Sequence, residues 1–306
     1  MIDILLATYN GEKYIGQQID SILNQTEHNF RILIRDDNST DRTPQIIQEY
    51  ADSHENIVIV KDSEKSGGAV PNSFLLMKHA TADYVMFCDQ DDVWLPDKIK
   101  ISLAAMKKAE KRYGKNSPIL VYSDYEPVSE DLQPIKMDKS SNMVYKHYDQ
   151  LNRLLIQNYI TGCTMMINKR LCQIAIVPYS KEMLMHDWWI ALCASSMGHI
   201  VYENKVTMYY RQHQEQSVGA IDVKSFRYRI NKFLNPETKN MDKKCVQQAK
   251  YFLSKYGKKL PKDERKTVWL FANIEKYSKL QRMHILISGG YLKSDFVRVI
   301  GQLVYV

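Results

Sequence analysis

Short apolar runs and amphipathic stretches alternate along the first two thirds of the chain. Ile2 to Ala7 is an apolar run that stops at TYNG, a turn signal. Lys13 to Asn24 then places Tyr14, Ile15, Ile19, Ile22 and Leu23 on one helical face. Phe30 to Ile34 reads as a second strand, ending at RDDNSTD. Ser39 or Thr40 caps the next helix, with Pro44 in its first turn. Ile57 to Val60 is a third strand, SGGAVPN a glycine-bearing loop, Ser73 to His79 a helix, and Tyr84 to Cys88 a fourth strand. Asp97 to Arg112 reads as a basic amphipathic helix and Ile119 to Tyr122 as a strand. The polar stretch Ser123 to Asn142 is long enough to fold over a site. Leu151 to Gln157 looks helical and Thr161 to Asn168 extended. Leu184 to Met197 carries a helix that opens with His186 and Asp187. Ile200 to Tyr202 and Val206 to Arg211 are late strands, and from Asp222 the pattern is helical and basic.

Alternating strands and helices predict an α/β fold of parallel βαβ units around an open, twisted sheet. The expected division is a sheet domain over 1–220 and a basic helical extension over 221–306. Ligands of such sheets bind beyond the carboxyl ends of the strands. Three apolar runs end in polar loops of that kind: TYN, RDDNSTD and CDQDD. Neither a GxGxxG turn nor a GxxxxGK loop is present, so any nucleotide is held in another way.

Composition narrows the picture. The 306 residues are 44% hydrophobic, enough for a large core, which excludes wholesale disorder. Five cysteines without a CxxC pair argue against a disulfide framework or zinc, and predict core thiols in a reducing cytosol. The N-terminal segment enters a strand pattern at once and lacks the features of a signal peptide. No apolar run approaches the ~20 residues that span a bilayer. A cytoplasmic protein is expected, at most peripheral on the inner face of the membrane. The net charge of +7 gathers beyond Val223 and points to an anionic partner.

The candidate chemistry sits at the strand ends. In Asp89-Gln90-Asp91 alternate carboxylates of an extended segment face one way, which suits a hard divalent cation that also binds a diphosphate. A solvated acidic loop is the ordinary alternative. Asp36 and Asp37 can accept from a base imide or a ribose hydroxyl, or cap a helix; Tyr9 can stack on a base. His186-Asp187-Trp188-Trp189 sets a potential general base beside two aromatics that can serve a sugar ring or simply the core. Arg211 suits a diphosphate and His213 a divalent metal.

In this order and spacing, LLATYNGEKYIGQQIDSILNQT, RDDNSTDRT, FCDQDDVWLPDK, TGCTMMIN and MHDWW resemble glycosyltransferase family 2, the inverting enzymes of the GT-A fold. DQDDVWLPDK, HDWW and YRQH are most similar to its bacterial rhamnosyltransferases, including streptococcal rhamnan-synthesising enzymes that use dTDP-L-rhamnose. The resemblance runs from Met1 to about Ala220. It implies a mixed sheet flanked by helices, a Mn²⁺ or Mg²⁺ cofactor, a nucleotide-sugar donor and a saccharide acceptor carried on a lipid. It further implies that Ala7 and Tyr9 line the base pocket and Asp37 contacts the base. Asp89 then holds the ribose side, Asp91 the metal with His213 as an additional ligand, and Asp187 is the catalytic base. Thr161, Gly162, His186, Trp188 and Trp189 fall on the acceptor and sugar side. A UDP-hexose donor, or a nucleotide-binding module without turnover, are the alternatives. Beyond Ala220, aromatic and basic residues interleave from Phe226 to Leu234, as in a segment lying on an anionic bilayer or packing in a homodimer. No motif supports nucleic-acid binding.

Overall fold

The computed structural model describes residues 1–62, 64, 66–135, 149–213, 236–294 and 296–305. The chain divides into two compact units. The first comprises Met1–Lys136, Ile160–Tyr179 and Gly198–Ala220; the second comprises Met137–Tyr159, Ser180–Met197 and Ile221–Val306. The stretch from Phe226 to Leu234 and the boundary at Ala220 lie outside the described residues.

In the first unit β1 (Ile2–Thr8), β2 (Phe30–Asp36), β3 (Ile57–Ile59) and β4 (Tyr84–Cys88) lie parallel, in the order β3-β2-β1-β4. The sheet continues as β7-β6-β8-β5, with β7 (Met165–Asn168) antiparallel to β4 and to β6 (Ile119–Val128). β8 (His199–Arg211) runs parallel to β6, and the two-residue β5 (Val93–Trp94) closes the edge against it. The mixed, open sheet agrees with the fold expected from the family resemblance. Its β1 register pairs Ile4 with Ile32 and Met86, a row of side chains that are wholly buried. Burial on both faces explains why these strands are near-continuous apolar runs rather than alternating ones.

The flanking helices are α1 (Ile15–Leu23), α2 (Thr43–Ser53), α3 (Ala69–Met77), α4 (Lys98–Tyr113) and, later, α6 (Lys169–Ala175). Three boundaries differ from the expected ones. The glycine-bearing stretch is the start of α3, because Pro71 in its first turn gives up an N–H that has no helical partner there. Neither Ser39 nor Thr40 caps α2; Asp41 Oδ1 accepts from the Thr43 N–H instead, at 2.9 Å. The strand expected to stop at Tyr122 runs on to Val128, and the two late strands are one, β8, whose register against β6 shifts between Ser123 and Glu126.

The second unit is helical. It contains α5 (Leu151–Leu154), α7 (His186–Met197), α8 (Pro236–Tyr256), α9 (Lys262–Ala272), α10 (Lys279–Ser288) and α11 (Phe296–Tyr305). Its centre is Trp189, with ring centroids of Tyr251, Phe252 and Tyr256 at 5.5, 5.2 and 5.8 Å. Among the described residues, no helix is long and apolar enough to cross a membrane.

Candidate functional site

The parallel register of β1, β2 and β4 brings their carboxyl ends side by side: Thr8 pairs with Asp36, and Leu6 with Cys88. The three polar loops then bind one another. Gln90 closes the first onto the third, its side chain accepting from the Tyr9 N–H at 2.8 Å and donating to the Tyr9 carbonyl at 2.9 Å. A Cβ at Gly11 would sit 2.5 Å from that amide, so the glycine is what lets the loops meet. Asn10, in a left-handed conformation at φ 47°, accepts from the Thr40 N–H and donates its own N–H to Ser39 Oγ, both at 2.8 Å.

Asp36 spends its carboxylate inside this assembly, on Thr8 Oγ1 at 3.0 Å and the Ser39 N–H at 2.8 Å. Asp37 turns the other way, to the Gly68 N–H at 2.9 Å. Behind it stands Arg35, 4% exposed and fully occupied. Its guanidinium donates to both Asp62 oxygens, at 2.9 and 2.7 Å, to Asn72 Oδ1 at 2.8 Å and to the Glu64 carbonyl, with Asp37 Oδ1 3.9 Å away. Ala7 is half-buried at the end of β1, and Tyr9 is 56% exposed.

The acidic segment separates into three environments. Asp89 is exposed. Asp91 is largely buried, and its Oδ2 lies 2.8 Å from His213 Nε2. His213 Nδ1 is buried with no hydrogen-bond partner among the described residues. Asp92 is wholly buried; burial first, then the charges of Asp89 and Asp91, push its carboxyl well above the usual range. The backbone N–H of Arg211 donates to Asp92 Oδ1 at 3.2 Å, and among the described residues no N–H or O–H donor reaches Oδ2. The Arg211 side chain, 3% exposed, donates to the Asp91 carbonyl at 2.7 Å, Gln17 Oε1 at 2.5 Å and the Glu130 carbonyl. Its guanidinium also lies 4.8 Å from the Tyr14 ring centre, and the His213 ring lies 4.8 Å from the same ring.

Thr161 and Gly162 begin a 3₁₀ turn, Gly162–Thr164, that leads into β7. That turn carries Cys163, whose thiol lies within 4.8 Å of the Asp89 and Asp92 carboxylates. Burial pushes the thiol well above its ordinary value, so it stays protonated. Cys163 was expected only as a core thiol: nothing in an apolar sequence context announces that a turn will aim it at two acids. Gln90, Tyr14, Glu130 and Lys98 were missed for the same reason, since each is tied to the site through tertiary contacts. Glu130 accepts from Tyr14 Oη at 2.9 Å and from Lys13 Nζ.

Carboxylate oxygens suit a hard divalent cation. Among the described residues, the ligand atoms close enough to one another to share one ion are those of Asp89, Asp92 and Cys163; His213, whose Nδ1 is buried without a hydrogen-bond partner there, meets Asp91 through Nε2. A protonated thiol is a poor ligand for such an ion.

In the second unit, His186 and Asp187 open α7, each 8% exposed. The Trp188 N–H donates to Asp187 Oδ1 at 2.5 Å. Trp188 donates its indole N–H to the Leu154 carbonyl at 2.5 Å, and Trp189 is wholly buried in the aromatic cluster. Both indoles pack the helix that carries Asp187. The other candidate residues, Ala7, Tyr9, Asp37, Asp89, Asp91, Arg211, His213, Thr161 and Gly162, belong to the first unit.

The chain is 31% identical over 231 residues to the dTDP-rhamnosyl transferase RfbG of Shigella flexneri, a match covering 70% of this chain and 74% of that protein. It is 27% identical over 170 residues to WfgD of Escherichia coli, a UDP-Glc:alpha-D-GlcNAc-diphosphoundecaprenol beta-1,3-glucosyltransferase, covering 56% and 60% respectively. In fold it is similar to S. aureus TarS residues 1–349 in complex with UDP-GlcNAc, with a TM-score of 0.59 at 17% identity over 99% of this chain and 90% of that one. It is similar also to the mannosyltransferase PcManGT of Pyrobaculum calidifontis in complex with GDP-Man and Mn2+, with a TM-score of 0.56 at 16% identity over 94% and 72%. The family model for glycosyl transferase family 2 matches residues 3–173, which is more than half of the chain. This GT-A-type chain belongs to glycosyltransferase family 2.

Proposed function

We propose that the chain is a metal-dependent, inverting glycosyltransferase that moves L-rhamnose from dTDP-β-L-rhamnose to a hydroxyl of a lipid-linked saccharide, in the synthesis of a cell-surface polysaccharide. The observation that carries the reading is the joining of three strand-end loops around Asp89, Asp91 and His213. The rhamnosyl donor is supported by the 31% identity to RfbG.

Ala7, Tyr9 and Asp37 hold the base, Tyr9 by stacking and Asp37 by accepting an imide N–H. Asp89 takes the ribose side. Asp91 and His213 would hold Mn²⁺ or Mg²⁺, and the ion would supply neutralisation of charge on the departing diphosphate. Arg211 adds a buried positive charge beneath the acids and fixes the Asp91 peptide. Thr161 and Gly162 border the sugar, and His186 with the two packed tryptophans orients the start of α7. Asp187 takes the proton from the acceptor hydroxyl. The acceptor oxygen then bonds to the anomeric carbon as the bond from that carbon to the diphosphate oxygen breaks. The bonding pair leaves with the nucleoside diphosphate. With one base and no enzymic nucleophile, a β-L-rhamnosyl donor gives an α-linked product.

The test is a transfer assay with dTDP-rhamnose and UDP-glucose against lipid-linked saccharides, with and without Mn²⁺. Transfer of rhamnose that disappears with chelator is expected. Preference for UDP-glucose would establish the second reading, a UDP-hexose donor, which the match to WfgD favours. Full turnover by Asp187→Asn would remove the base assignment.

A further inference from the structure

Helix α11, Phe296–Tyr305, is built the wrong way round for a soluble surface. It turns Gln302 inward, 2% exposed, where the side chain donates to the Tyr291 carbonyl at 2.7 Å and accepts from the Lys293 N–H at 3.2 Å. Phe296, Ile300 and Val304, one helical turn apart, face outward at 78%, 42% and 49% exposure. The neighbouring α10 repeats the pattern with Leu280 at 79% and Ile287 at 55%. Lys279 Nζ donates to the Val304 carbonyl at 2.9 Å, tying the start of α10 to the end of α11.

Neither helix contains an aspartate or a glutamate, though Asp295 immediately precedes α11, and Lys279 and Arg282 of α10 supply positive charge. A surface with apolar side chains turned outward and positive charge beside them complements an anionic lipid surface. A second copy of the chain is the weaker occupant. The two helices, of ten residues each, are only about 15 Å long, so even together their outer face falls short of the roughly 800 Å² per partner that a stable interface buries. A bilayer needs no complementary shape. Nucleic acid would use the charges and leave the phenylalanine and leucine in water.

We propose that α10 and α11 form an interfacial surface that lays Phe296, Ile300, Val304, Leu280 and Ile287 into the headgroup region of an anionic bilayer. The choice of a membrane rests on the lipid-linked acceptor of the proposed function.

The experiment is flotation of the full chain with vesicles of phosphatidylglycerol and phosphatidylethanolamine in equal parts, against phosphatidylcholine vesicles. The wild type is expected to float with the anionic vesicles, and less so as salt rises. Phe296→Glu/Ile300→Glu/Val304→Glu should lower the partition coefficient at least about tenfold, and Phe296→Glu alone by a smaller factor. All three changes are at exposed positions, and circular dichroism checks that the helices persist. Hydrolysis of the donor in the absence of lipid should be unchanged. Undiminished flotation of the triple variant, or no flotation of the wild type, would overturn the proposal. So would self-association of the wild type, lost in the triple variant, without vesicle binding. Flotation without any donor turnover would instead sink the transferase reading and leave this one standing.

Discussion

Lys98 carries an amino group into a fully buried space behind the acidic segment, 3.2 Å from Thr207 Oγ1 and 4.9 Å from the centre of the Trp94 ring. Burial brings its pKa down from 10.5 to about 8, against the opposing pull of Cys163, Cys88 and Asp92. Below about pH 8 the folded and unfolded chains both hold the proton, and the cost of burying the charge is felt in full. Between about 8 and 10.5 the unfolded chain binds more proton than the folded one, so the Lys98 contribution improves with rising pH. The stability gained by Lys98→Met relative to wild type should therefore shrink by roughly 3 kcal/mol across that window. Urea denaturation of both proteins at pH 7 and pH 10 measures it; a constant difference would mean that Lys98 stays charged throughout. At the neighbouring Asp91, Asp91→Asn preserves shape and removes charge. Transfer should drop by about 10² or more, as for loss of a key electrostatic contact. The concentration of Mn²⁺ for half-activation should rise, and steady-state kinetics over a Mn²⁺ series would reveal it. Unchanged metal response would exclude Asp91 as a ligand. The carboxylates were legible in the sequence because a strand end fixes where they must be. Lys98 and Cys163 were not, because a lysine reads as surface and a thiol as core until the fold brings them behind the same acids.

At the scale of the element, β1 shows how a strand can hide a charge. Asp3 is wholly buried near its start, and it was read as part of an apolar run. It accepts from Arg31 Nε and Nη2 of β2 at 2.9 and 3.0 Å, and from the N–H groups of Thr81 and Ala82 at 2.7 and 2.9 Å. Burial alone would raise its pKa; Arg31 and the two N–H groups outweigh it, so the net shift is downward. A depressed carboxyl pKa stabilises above the unfolded value and is lost as the pH falls through the folded one. Asp3→Ala should cost about 3 kcal/mol at pH 7, since it leaves the buried Ala82 N–H, the partly buried Thr81 N–H and the Arg31 guanidinium without this acceptor. The deficit should narrow below pH 4, and a chemical denaturation series from pH 7 to 3 would follow it. A deficit independent of pH would put its origin in packing. The parallel strands β1, β2 and β4 were readable because burial on both faces makes them uniformly apolar. The second half of β6 was not: Ser123, Asp124, Tyr125 and Glu126 look like loop, and pairing with β8 holds them extended.

On the scale of the whole molecule, the helical unit is assembled from three separated stretches of chain. α7 shows why they depend on one another. Ten of its twelve residues are buried, so it has no water-facing side of its own. Trp189 is covered by Tyr251, Phe252 and Tyr256 of α8, and Leu184, just before α7, donates its N–H to Gln248 Oε1 of the same helix at 2.9 Å. A fragment ending at Ala220 keeps α7 and loses α8 to α11, leaving a helix that is apolar on every side. We expect that fragment to be insoluble or to bind a hydrophobic dye strongly, although it retains all the strands. In the full chain, Trp189→Ala should cost about 3–5 kcal/mol, the range for emptying a buried aromatic site. Because the lost contacts lie in the helical unit, unfolding followed there, by Trp269 fluorescence, should move to lower denaturant than a probe in the sheet. If both probes shift together, the two units unfold as one cooperative body, and Asp187 is held by the stability of the entire chain rather than by the helices around it.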